Sequence, residues 1–81
     1  MKINVTQLDI ETGKPFSGAK CPIAIAIKRA EPKAHKINVG AVEISFWQGG
    51  RRRGFDTPNS AANFVRQFDQ QNRVEPFEFE I

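Results

Sequence analysis

Two adjacent glycines, Gly49-Gly50, stand between two stretches whose side chains alternate in polarity. Tight two-residue hairpin turns need positive φ at their central positions, and glycine reaches that region without a Cβ clash. Gln48-Gly49-Gly50-Arg51 therefore predicts a hairpin, and with it an antiparallel sheet. Before the turn, Ala41 to Trp47 places Val42, Ile44 and Phe46 inward and Glu43, Ser45 and Trp47 outward. After it, Arg51 to Phe55 is the returning strand. Lys36 to Val39 is a further strand with Ile37 and Val39 on one face, and Gly40 supplies the bend or bulge that follows it.

The rest of the chain is read by the same periodicities. Lys2 to Val5 alternates as a first strand, and Phe77, Phe79 and Ile81 alternate with Glu78 and Glu80 as a last one. Asp9 stands three residues after Thr6, close to a capping box, which predicts a short helix over Gln7 to Thr12 with Gly13 at its C′ position. Thr57 reads as an N-cap and Pro58 as N1 of a helix whose apolar stripe is Ala61, Phe64, Val65 and Phe68, ending at Asn72 or Arg73.

Residues 22 to 30 admit two readings. The Ile/Ala alternation suits a buried strand, whereas Pro22 at a first helical turn and Lys28-Arg29 in a last one suit a helix. The helix is preferred, with Ile23, Ala26, Ile27 and Ala30 on its buried face and Ile25 at the flank. The expected order is β-α-α-β-β-β-α-β. This is an α+β fold in one domain over residues 1–81, with a mainly antiparallel sheet of four to five strands and two helices on one face.

Composition narrows the classes further. With 40% hydrophobic and 26% charged residues, the chain falls outside the disordered class. Cys21 is the only cysteine, so no internal disulfide can form, and the expected compartment is the cytoplasm. The longest apolar run, Ile23 to Ile27, is far too short to span a bilayer, and the first residues do not read as a signal peptide. Residues 14 to 53 carry nine basic and two acidic side chains, net +7, against three and seven elsewhere, net −4; together these make the chain's +3. Such asymmetry marks an anionic partner or is neutralised within the fold.

Two blocks resemble a known group. Val5-Thr6-Gln7, Asp9-Ile10, Gly13 and Cys21-Pro22-Ile23-Ala24 resemble the opening of short uncharacterised bacteriophage and prophage proteins. Phe64-Val65, Phe68-Asp69 and Val74-Glu75-Pro76-Phe77-Glu78-Phe79-Glu80 resemble their ending. The blocks cover about half of the chain. The resemblance implies a phage-type origin and carries over no functional residue.

Catalysis finds little support. His35 is the only histidine and lies about a dozen residues from Cys21. One Cys and one His cannot make a structural zinc site, and no phosphate loop or calcium-loop spacing is present. Cys21 reads as a small buried residue or N-cap, the alternative being a thiol activated at a helix N-terminus. His35 reads as exposed in a basic loop. Catalytic residues, metal ligands and cofactors are therefore expected to be none.

The basic region carries the functional reading. Arg51, Arg52 and Arg53 beside an outward Trp47 suit phosphates, bases or an acidic protein surface, and Lys28, Arg29, Lys33 and Lys36 extend the same field. The competing reading pairs the arginines with Glu78 and Glu80, or with Glu43, across the sheet. The expected function is a non-enzymatic interaction module, a phage-encoded inhibitor of a host nucleic-acid or defence machine whose partner is a host protein. Direct nucleic-acid binding by the same hairpin, and capture of an anionic nucleotide signal at an oligomer interface, are the alternatives. No membrane partner is expected, and the chain is a monomer or a dimer joined through edge strands.

Overall fold

A computed structural model describes all 81 residues. The elements are β1 (Lys2–Val5), α1 (Gln7–Thr12), α2 (Pro22–Ala30), β2 (His35–Val39), β3 (Glu43–Gln48), β4 (Arg51–Asp56), α3 (Asn59–Asp69) and β5 (Phe77–Glu80). The α+β class and element order agree with the sequence pattern. The five strands form two antiparallel sheets rather than one. β1 pairs with β5, and β2, β3 and β4 form a three-stranded meander. The outer edge of β2 meets a loop in place of a further strand, since the Val39 N–H donates to the Gly18 carbonyl at 2.9 Å.

α2 bridges the sheets by packing on β1, β2 and α1. Pro22 opens it, because its missing N–H and fixed φ are tolerated in the first turn. Ile23, Ala26 and Ile27 are buried as the helical spacing requires, whereas Ala30 is exposed at the last turn. From α3, Ala61 and Phe64 enter the same core of 14 residues, and Phe64 stacks on Phe77 of β5 with centroids 4.8 Å apart.

Several local expectations are corrected. Val42 is 80% exposed, because Gly40 to Glu43 closes a turn (Gly40 N–H to Glu43 O, 2.9 Å) and β3 starts only after Val42. Thr57 does not cap α3. Its hydroxyl donates to Gly40 O at 2.8 Å and its N–H to Val42 O at 2.9 Å, pinning that turn, so the cap position falls to Pro58. α3 also ends at Asp69, before the expected Asn72 or Arg73, and Gln71 follows in the left-handed region at φ 62°.

The capping box at Thr6 and Asp9 forms as the spacing predicts. Gly13 caps α1 with an ordinary φ of −70°, so left-handed freedom is not what the position requires. A Cβ there would lie 2.6 Å from Pro22 Cδ, and it is this close approach that demands glycine. By contrast, Gly49 and Gly50 do lie at φ 60° and 74°, forming the predicted hairpin turn.

Candidate functional site: a basic groove beside α2

The three consecutive arginines divide between the two faces of the hairpin, as the period of a strand dictates. Arg52 lies opposite Trp47, whereas Arg51 and Arg53 lie opposite Gln48 and Phe46 on the core-facing side. Arg52 bonds Glu43 at 2.6 Å. Arg53 donates to Gln48 Oε1 at 2.9 Å and covers the rings of Phe46 and Phe55 at 5.5 and 5.2 Å. Arg51 is exposed and makes neither an ion pair nor a side-chain hydrogen bond. Glu78 and Glu80 are not its partners; they sit in the other sheet, near Lys2 and the N-terminal ammonium.

Arg29 is held even more firmly. Its guanidinium donates to both Asp9 oxygens at 2.7 Å, and to the Asn4 carbonyl at 2.7 Å. Asp9 is only 2% exposed. Burial alone would raise its pKa, but the hydrogen bonds from Arg29 and Thr6 outweigh that effect and hold the carboxyl below its ordinary value. This pair ties α2 to α1 and β1. Lys28 is likewise engaged, its Nζ donating to Pro32 O at 2.7 Å and Ala34 O at 2.6 Å.

The field that remains is a groove of about 700 Å³ along the flank of α2, between β2 and the segment after α1. Its cationic lining is Lys14, Lys20, Lys28, Arg29 and Lys36, joined by His35, with no carboxylate among the lining residues. Its apolar part comes from Ala24 and Ile25 of α2, Ala34 and Ile37 at β2, and Ala19 of the loop. The loop is closed on itself, with Lys14 N–H donating to Lys20 O at 2.9 Å and Cys21 N–H to Ser17 O at 3.0 Å. Lys14 and Lys20 therefore stand side by side at its neck.

A bulge in β2 shapes the opposite wall. His35 pairs with Trp47 and Asn38 with Ser45, so Lys36 and Ile37 together face one residue of β3. Lys36 takes φ 54°, a region that a lysine enters at a cost of about 1 kcal/mol. The bulge re-aims both residues, which is how Lys36 and Ile37 come to line the groove. Ion pairs involve none of Lys14, Lys20 and Lys36.

The structure thus brings Lys28, Arg29 and Lys36 of the expected set into one groove, adds Lys14, Lys20 and His35, and leaves Lys33 and the arginine hairpin outside it. His35 is exposed as expected, but at the start of β2 rather than in a loop. Cys21 is buried at the cap of α2, and burial pushes its thiol up despite the amides of Ala24 and Ile23, opposite to an activated thiol. No helix is long and apolar enough to cross a membrane. No family model, curated protein or solved structure matches the chain.

Proposed function

We propose that this chain is a non-catalytic binding protein that captures an anionic ligand in the groove beside α2. One observation carries the reading: five lysine and arginine side chains and a histidine surround a partly apolar concavity that has no carboxylate in its lining. A concave surface lined by one sign of charge favours an oppositely charged ligand. The buried, raised Cys21 thiol supports a binding role over nucleophilic chemistry.

The test is thermal melting with tripolyphosphate as the probe. A ligand that binds only the folded state at about one hundred times its Kd adds about 2.7 kcal/mol, or roughly 10–20 °C in a domain of this size. The triple variant Lys14→Gln/Lys20→Gln/Lys36→Gln is expected to lose most of that shift, and high salt to reduce it in the unsubstituted protein. A triple variant that keeps the whole shift would sink the reading.

A second reading retains the hairpin, in which a phage-encoded inhibitor docks on a host protein. It is favoured by Trp47, 38% exposed on a sheet face whose other residues are exposed or half-buried. Arg51, exposed beside the turn, lies on the hairpin's other face and adds charge only at its tip. The two readings separate cleanly, because the lysine triple leaves the Trp47 face intact.

A further inference from the structure

We infer that the ligand of the groove is a single nucleoside polyphosphate, a flat ring system carrying two or three phosphate charges, rather than a bare polyanion or a nucleic-acid strand. This rests on the anion-binding reading above and specifies its ligand.

The charges set the size of the anionic part. Lys28 is directed to backbone carbonyls and Arg29 to Asp9, so the ammonium groups free to meet a ligand are those of Lys14, Lys20 and Lys36. Three point charges match a di- or triphosphate. They are too few for the long run of phosphate contacts that gives strand binding its affinity.

The apolar residues require a second, uncharged part. Ala24 and Ala34 are already buried, but Ile25 of α2 and Ile37 of β2 are half-buried and keep apolar surface in the lining. A bare polyphosphate would desolvate these side chains for no gain, whereas a ring edge buries against them. His35 lines the same groove and offers a planar face for stacking, next to its cross-strand partner Trp47. Two half-buried isoleucines and an exposed imidazole in one lining suit a slab better than a flexible alkyl chain.

The groove's volume favours a short ligand. About 700 Å³ lies within the range of small-molecule sites.

The experiment is calorimetric titration with ATP, ADP, adenosine, tripolyphosphate, geranyl pyrophosphate and a single-stranded oligonucleotide, with Trp47 emission followed in parallel. ATP or ADP is expected to bind one per chain, at least about tenfold more tightly than tripolyphosphate, as expected if ring burial adds about 1.4 kcal/mol. Adenosine alone is expected to show no measurable heat. Lys36→Asn, which keeps a residue tolerant of positive φ, is expected to weaken ATP about tenfold while the free protein melts at the same temperature or higher. Tripolyphosphate binding as tightly as ATP would overturn the ring assignment while leaving anion capture standing. Tighter binding of geranyl pyrophosphate, or of the oligonucleotide, would overturn it in favour of that ligand. Failure of every anion would remove both readings together.

Discussion

Arg29→Ala is expected to lower stability at neutral pH by about 3 kcal/mol, or roughly 12–24 °C in melting temperature for a domain of this length. The reason is the group left behind. Asp9 is 2% exposed, and without the guanidinium its carboxylate keeps only Thr6 as a partner, whose backbone N–H donates to Oδ2 at 2.9 Å. Arg29 itself is 49% exposed, so water can enter after truncation, which places the loss at the low end of the range for a broken buried pair. The change also removes the bond to Asn4 O that fastens α2 to β1.

The sign of the pH dependence follows from Asp9. Its folded pKa lies below the ordinary value of 3.8, so its contribution is complete above that value and is lost as pH falls through the folded pKa. The unsubstituted protein should therefore lose stability below about pH 4. In Arg29→Ala, burial dominates and raises the carboxyl, so acidification protonates it and relieves the penalty. The gap between the two proteins should narrow from neutral to mildly acid pH. Asp9→Asn combined with Arg29→Ala should recover part of the loss. Thermal melts across pH check this, and a gap that widens on acidification would refute the account.

Phe46→Ala should be costlier still, at about 4 kcal/mol. Phe46 is fully buried in the middle of β3, its ring stacked on Phe55 at 5.7 Å and covered by Arg53 at 5.5 Å. Truncation empties the centre of the meander and removes the platform beneath Arg53. Arg53→Ala, in contrast, takes away two partly exposed cation–π contacts, each worth about 0.5–1 kcal/mol. Domains of this length have roughly 4–12 kcal/mol in total, so the Phe46 variant should be substantially unfolded at modest urea concentrations. A urea midpoint for Phe46→Ala no lower than that of Arg53→Ala would show that the ring is not central to the core.

The contrast between these arginines shows how far a charge count can be read. Arg29 and Arg53 belong to the same basic stretch of chain, and both were candidates for partner contact. One neutralises a buried carboxylate and the other lids two aromatic rings. Lys14 and Lys20, by contrast, flank a loop with no periodicity to mark them, and they are brought together only when the loop closes through the Lys14–Lys20 backbone bond.

Local interactions decided what was legible in the sequence alone. The Gly49-Gly50 turn, the stripe of Ala61, Phe64, Val65 and Phe68, the Thr6–Asp9 capping box and the choice of helix for residues 22–30 depend on neighbours within a few positions, so the order of residues carries them. Tertiary structure alone decided the rest. It divided the strands between two sheets, with β1 paired to β5 and the Gly18 loop against the edge of β2. It also decided which cations remain available, because an ion pair such as Asp9–Arg29 joins residues 20 apart in the chain, and no period along the sequence encodes that distance. The groove owes its open charge to that sorting. Arg29, Arg52 and Lys28 found partners within the fold, and Lys14, Lys20 and Lys36 remained without an ion pair in its partly apolar lining.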